Sequence, residues 1–185
     1  MKKMLRTLAA SAALSLPLSC LAFPIAAPGT EGLEVLAGGG GDVIATYQGN
    51  SASYSNDLYL VTDDGIEGND IFVFNNHGSA VGSTVNLGAF AAGTPLQFRL
   101  HVNNTGNDFF TGAASRNPDN SFHARVQQNW AVNTTLVSFE DLLGGPYDFN
   151  DLSFSFTNTA TSIPEPASLW LAGLGLAGLV LRRRK

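Results

Sequence analysis

The sequence has a single cysteine and, between its two ends, very little positive charge. Cys20 is the one cysteine, and it lies in a segment predicted to be removed on export, so no disulfide is expected in the mature protein. Seven of the ten basic residues and one acid, Glu165, lie in residues 1–22 and 163–185, which leaves 14 acids and three arginines in residues 23–162, a net charge of −11. This charge excludes nucleic-acid binding and favours bound cations.

Long apolar runs are also absent from the interior of the chain and occur only near its ends. At the N-terminus, Lys2, Lys3 and Arg6 precede an apolar stretch at 8–18, and Ala22 offers a cleavage site before Phe23. This order predicts a signal peptide at residues 1–22, forming a helix and using the Sec export machinery. Lipidation of Cys20 is the alternative, but the preceding Pro-Leu-Ser is a poor approach to such a site.

The C-terminal apolar run covers residues 167–181 without a charge and ends at three arginines and Lys185. As a helix it would be about 22 Å long, shorter than the roughly 30 Å hydrocarbon layer of a membrane. The basic end favours the cytoplasmic side. A short transmembrane helix is therefore predicted, suited to transient anchoring, with an ordinary tail anchor as the alternative.

The tail as a whole, residues 163–185, resembles a known sorting signal. A polar-proline motif precedes the apolar run, and a basic stop follows it; the residues concerned are Pro164, Glu165, Pro166, Arg182, Arg183 and Arg184. This order resembles the PEP-CTERM signal of Gram-negative bacteria. The resemblance implies an exosortase as partner, an inner-membrane intermediate held by the C-terminal helix, and a final place at the cell surface or in the extracellular matrix.

The interior alternates apolar and polar residues with a period of two, which is typical of strands with one buried face. The clearest runs are at 96–102 and 152–157, and shorter ones lie at 43–47, 54–61, 71–74, 123–127 and 135–139, separated by turns rich in Gly, Asn and Asp. Short strands at this spacing predict an all-β domain at 42–160, a single β-sandwich or jelly roll. Residues 23–41, which include four consecutive glycines, are predicted to be a flexible leader.

Two segments carry a second resemblance. Residues 137–154 read VSFEDLLGGPYDFNDLSF and residues 116–126 read RNPDNSFHARV. Together they resemble a domain of unknown function found in secreted bacterial PEP-CTERM and adhesin-like proteins, over roughly residues 71–157. Pro146 and Tyr147 stand where that family often has Gly-Asp-Arg. The resemblance implies a β-sandwich with a structural or adhesive role in an extracellular polysaccharide or biofilm matrix.

An acidic cluster near the end of the domain predicts a metal site. Oxygen donors crowd into twelve positions: Glu140, Asp141, Asp148, Asn150 and Asp151. Calcium takes such carboxylate and amide oxygens in irregular geometry. The alternative is a solvated acidic hairpin. Asn117 and Asp119 are weaker candidates for the same site, and the acidic stretch 63–70 is better explained as a turn.

The three histidines, His77, His101 and His123, are far apart in sequence and are expected to be hydrogen-bonded surface or edge residues rather than zinc ligands. The sequence contains no catalytic motif of the common hydrolases or nucleotide-binding enzymes. The protein is therefore predicted not to be an enzyme.

Two other functions remain open. A carbohydrate-binding, lectin-like module is the main alternative, because aromatic side chains could stack on sugars; the candidates are Trp130, Tyr47, Tyr54 and Tyr59. A glycoside-active enzyme using Glu140 with Asp148 or Asp151 as paired carboxylates is a weaker one.

Overall fold

The computed structural model describes residues 22–62 and 68–161. The predicted transmembrane helix, the sorting residues and almost all of the predicted signal peptide lie outside this part. Within the described part, no helix is long and apolar enough to cross a membrane.

The described chain consists of twelve strands and one turn of 3₁₀ helix at Ala114–Arg116. The strands are β1 Val35–Ala37, β2 Asp42–Asn50, β3 Asn56–Leu60, β4 Ile71–Asn75, β5 Thr84–Ala89, β6 Pro95–Leu96, β7 Phe98–Val102, β8 Asn107–Phe110, β9 Ala124–Ala131, β10 Thr134–Phe139, β11 Leu152–Thr157 and β12 Thr159–Ala160. The prediction of an all-β sandwich is confirmed.

These strands form two main antiparallel sheets, a five-stranded one in the order β5-β2-β11-β10-β9 and a four-stranded one in the order β4-β3-β7-β8. A small third sheet, β12-β1-β6, lies beside them. Aromatic rings from the two main sheets meet in the core: Phe74 of β4 stacks on Phe154 of β11 with centroids 5.9 Å apart, and Phe98 of β7 stacks on Phe156 of β11 at 4.2 Å. The buried faces of the two sheets therefore form one hydrophobic core.

The predicted flexible leader needs correction. Ala26 is buried and its N–H donates to the Ser138 hydroxyl at 2.8 Å, while β1 places Val35 and Ala37 in the core. Residues 26–41 are thus part of the folded unit. The run of glycines hid this short strand, because glycine adds no apolar side chain to the pattern.

The predicted strand at 96–102 is divided. Leu96 pairs with Val35 in the small sheet, whereas Phe98–Val102 pairs with β3 and β8 in the four-stranded sheet. A continuous alternation does not reveal that neighbouring residues belong to different sheets. Because of this division, β7 belongs to the four-stranded sheet alone, where it pairs with β3 and β8 without a shift in register.

Candidate functional site

The acidic cluster lies where the β10–β11 hairpin leaves the five-stranded sheet. The last pair of the hairpin is Phe139 with Leu152, so Glu140 and Asp151 follow directly on the two neighbouring strands. Carboxylate oxygens of Glu140, Asp141 and Asp151 lie within 4.8 Å of one another. The Asp151 carboxylate also accepts the Asp141 N–H at 2.8 Å. We call these three residues the buried acidic cluster.

Two members of the cluster are withdrawn from water, and the third, Asp151, is half-buried. Glu140 is 1% exposed and Asp141 3% exposed. Charged side chains are almost never buried to this degree unless they are paired or bind a metal. Among the described residues, no lysine or arginine forms an ion pair with any of the three carboxylates, so their charge is not balanced by a basic side chain there.

Asn56, at the start of β3, joins the cluster from the other main sheet. Its Nδ2 donates to Asp141 Oδ2 at 2.7 Å, and the residue is fully buried. Asn56 is not among the ligands predicted from the sequence. The sequence pattern that could have revealed it is a polar residue at an inward-facing position of a strand, since Asn56, Leu58 and Leu60 share the buried face of β3.

Two oxygen atoms at this site have no hydrogen-bond partner. They are Glu140 Oε2 and Asn56 Oδ1, both buried. Buried polar atoms in native proteins nearly always have a partner, so each exception needs a physical explanation. The unpartnered oxygen of Glu140 and the carboxylates of Asp141 and Asp151 form a set of oxygen donors suited to a hard cation, whereas Asn56 turns its NH₂ group toward Asp141.

Burial also changes the acidity of the cluster. Loss of hydration, together with the negative charge of Asp151, raises the pKa of Glu140 to about 8. Loss of hydration likewise raises the pKa of Asp141 to about 6, although the hydrogen bond from Asn56 opposes this. Without a cation, the cluster therefore holds a proton at neutral pH.

This acidity predicts how stability depends on pH. In metal-free buffer, raising the pH from 4.5 to 8 should lower the melting temperature, because the unfolded Glu140, with its ordinary pKa of 4.5, releases its proton while the folded one retains it. Thermal unfolding of the full-length chain followed by circular dichroism measures this slope. Glu140→Gln should flatten it, and an unchanged slope in that variant would contradict the assignment.

The other predicted ligands lie elsewhere. Asp148 is exposed, and Asn150 is occupied with two neighbours: its Nδ2 donates to Asp148 Oδ2 at 2.6 Å and its Oδ1 accepts the Ser51 hydroxyl at 2.7 Å. Asp148 does not belong to the group of carboxylates that could share an ion. The loop between Asp141 and Asp151 leaves it exposed.

The two weaker candidates, Asn117 and Asp119, form hydrogen bonds that stabilise the surrounding loops. Asn117 accepts the Phe110 N–H at 2.8 Å and donates to the Ser121 carbonyl at 2.7 Å. Asp119 accepts the Tyr147 hydroxyl at 2.8 Å and the Ser121 N–H at 3.0 Å. Burial opposes ionisation, but hydrogen bonds from His123, Tyr147 and Ser121 together hold the pKa of Asp119 well below its usual range.

His123 contradicts the expected surface position. It is fully buried, and its ring stacks on Phe109 with centroids 3.8 Å apart. Its Nδ1 donates to the Glu140 carbonyl at 3.1 Å, and its Nε2 lies 3.1 Å from the Asp119 carboxylate. His123 thus fixes the backbone at Glu140. Sequence spacing gave no sign of this contact.

The remaining candidates divide between structural and exposed positions. Tyr47 is buried, and its hydroxyl donates to the Asn76 carbonyl at 3.1 Å, so it cannot stack on a sugar. Tyr54 packs partly against the core. Trp130 is 38% exposed at the end of β9.

In the predicted turn at 63–70, Asp70 binds Arg99 at 2.9 Å, and residues 63–67 lie outside the described part.

Comparison with known proteins gives one match. The family model described as the PEP-CTERM protein-sorting motif matches residues 162–185. Neither the curated proteins nor the solved structures contain a match to the chain. The motif implies processing by an exosortase and export, with a membrane-anchored intermediate. The C-terminal part of the chain therefore carries the PEP-CTERM protein-sorting motif.

Proposed function

We propose that this exported protein binds calcium in the buried acidic cluster and has a structural or adhesive role in an extracellular polysaccharide or biofilm matrix. The observation that carries the calcium proposal is the pair of unpartnered buried oxygens, Glu140 Oε2 and Asn56 Oδ1, beside three carboxylates. A cation bound by the three carboxylates would give Glu140 Oε2 a partner and offset most of their negative charge, and Asn56 Oδ1 would reach it after a rotation of the amide.

Calcium suits this set of donors better than other common ions. It accepts about 6–8 oxygen ligands, including carboxylates, amides and water, in irregular geometry. Magnesium demands near-octahedral geometry and keeps its waters, and zinc prefers nitrogen and sulfur donors. The cluster offers only oxygen, from Glu140, Asp141, Asp151 and the amide of Asn56.

Asn56 becomes a ligand if its side-chain amide rotates so that the oxygen and the NH₂ group exchange places. At present its NH₂ group faces Asp141 and its oxygen has no partner. A rotation of the amide exchanges the two atoms, so that the oxygen points to the cation that Asp141 also binds. The ion would then join the four-stranded sheet, through Asn56, to the five-stranded sheet, through the β10–β11 hairpin.

This role is structural rather than catalytic. An acid–base pair must reach the atoms of its substrate, whereas Glu140 and Asp141 are almost fully buried. An ion that joins two sheets instead stabilises a domain that has no disulfide. That property suits a protein that must stay folded outside the cell.

Titration calorimetry of the metal-free, full-length chain with calcium chloride tests the proposal. We expect one site, and at least about tenfold weaker binding, or about 1.4 kcal/mol, in Glu140→Gln, Asp151→Asn and Asn56→Ala. Asp148→Asn is the matched control, because it removes a nearby carboxylate that lies outside the cluster. No calcium binding by a folded sample, or an effect of Asp148→Asn alone, would overturn the assignment.

A further inference from the structure

The outer face of the four-stranded sheet is ordered into two rows of side chains. In the first row, Phe72 pairs with Tyr59, Tyr59 with Arg99, and Arg99 with Phe110, one residue from each of β4, β3, β7 and β8. We call this the aromatic row. Strands in a sheet are about 4.8 Å apart, so the row is about 14 Å long.

The second row, the polar row, runs parallel to the first. Asn75 pairs with Asp57, Asp57 with His101, and His101 with Asp108, across the same four strands. The residues between the rows, such as Leu58 and Leu100, point into the core. All eight side chains of the two rows are exposed or half-buried, so this face is open to solvent.

Contacts within the face hold the aromatic row in place. The Arg99 guanidinium lies over the Tyr59 ring, 4.4 Å from its centroid, and Phe72 meets that ring edge-on at 5.7 Å. Arg99 is also held by Asp70 and Asp108, each at 2.9 Å. A face fixed in this way loses little conformational entropy when it binds a ligand. Phe72 is 51% exposed and is the most accessible ring of the row.

The polar row retains hydrogen-bonding capacity. Asp57 Oδ1 accepts Asn75 Nδ2 at 2.7 Å, and Asp108 Oδ1 accepts Arg99 at 2.9 Å. Among the described residues, no hydrogen bond reaches Oδ2 of either aspartate. Each carboxylate can therefore accept a hydrogen bond from a hydroxyl group of a ligand that lies along the aromatic row.

We propose that this face binds a neutral polysaccharide chain. Sugar rings present C–H groups to aromatic and guanidinium planes and hydroxyl donors to carboxylates, and the two rows offer both in parallel. A neutral chain is favoured over an anionic one, because three carboxylates, Asp57, Asp70 and Asp108, surround the single arginine of the face. The strand spacing is also close to the length of one hexopyranose unit.

The inference gives a ligand class to the adhesive role proposed above and rests on it, but it does not depend on calcium. Carbohydrate binding is thus assigned to a different set of residues from the one that the sequence suggested. Of those aromatic residues, only Tyr59 belongs to this face. The calcium titration and the polysaccharide experiment can therefore fail separately.

Affinity electrophoresis of the full-length chain in gels containing one polysaccharide tests the inference, in a detergent without a sugar headgroup. The probes are soluble cellulose and starch derivatives without charge, dextran, a β-1,3-glucan and, as the anionic comparison, alginate. We expect at least one neutral polymer to retard the protein, with about tenfold weaker binding in Phe72→Ala and recovery in Phe72→Tyr. Trp130→Ala, an exposed aromatic residue on the other sheet, is the matched control and should bind as the wild type does.

Three results would overturn the inference. They are no retardation by any neutral polymer, retardation by alginate alone, and binding that Trp130→Ala weakens while Phe72→Ala leaves it intact. Near-ultraviolet circular dichroism of each variant confirms that its core is folded. Because Phe72 is half exposed at the sheet surface, its replacement is expected to leave the fold intact.

Discussion

Millimolar calcium will raise the melting temperature of the metal-free protein by several degrees. A ligand that binds only the folded state stabilises it by RT ln(1 + [Ca²⁺]/Kd), which is about 2.7 kcal/mol when calcium is a hundredfold above Kd. For a folded unit of this size, that corresponds to about 5–10 °C. A sizeable shift is expected because calcium gives a partner to the buried Oε2 of Glu140, and it should be larger near pH 8 than at lower pH, where calcium must displace the proton that the raised pKa of Glu140 retains.

Thermal melts of the full-length chain with EDTA, calcium or magnesium measure the effect. Magnesium should shift the melting temperature less, because it holds its waters and demands closer geometry. Glu140→Gln and Asp151→Asn should abolish most of the calcium shift, whereas Asp148→Asn should retain it. Equal melting temperatures in all three conditions would reduce the cluster to a buried carboxyl group that shares a proton.

The second large effect concerns the C-terminal tail. The motif at 162–185 marks the chain for exosortase processing, so the protein released from the producing cell should lack residues 169–185. Replacing Pro164 and Glu165 together by alanine should block processing and leave the whole tail on a membrane-bound form. Intact-mass measurement of the released and the membrane fractions distinguishes these outcomes.

Val132→Ala serves as the control, because Val132 is an exposed residue of the folded unit and should leave processing unchanged. Recovery of residues 182–185 in the released protein would contradict the prediction. Normal release of the double alanine variant would do the same. Charge offers an independent check: losing residues 1–22 and 169–185 removes seven basic residues and no acid, which changes the net charge from −5 to −12, so the processed form should migrate faster toward the anode in a native gel.

Alternation along the chain predicted every strand of five or more residues except β5, in which only Leu87 is buried. In β7 the apolar side chains share one buried face, and a shift by one residue would turn all of them toward the other, half-buried face. In β11 Ser153 and Ser155 are buried as well, which the alternation did not predict. Short strands escaped prediction for a physical reason. Three residues of β1 or two of β12 carry too little pattern, and their pairing depends on segments more than 50 positions away in sequence.

The candidate site was predictable only along one strand pair. Glu140 and Asp151 could be placed together because a hairpin brings its two ends into register. The contribution of Asn56 depends on packing between the two sheets, which joins positions 85 residues apart. Asp148 was chosen for its charge, but the loop before β11 turns it toward solvent, and no local pattern encodes the path of that loop.

The register of the β10–β11 hairpin also has a mechanical consequence. Its six pairs place the buried acidic cluster beyond Phe139 and Leu152, and β12 beyond Thr134 and Thr157, at opposite ends about 17 Å apart. The chain leaves the folded unit through β12, which is held to β1 by only two residue pairs. A pull on the chain from its C-terminal side therefore loads β12 first. The end of the hairpin beside β12 can separate while the opposite end, at Phe139 and Leu152, where the two main sheets are joined, bears no tension.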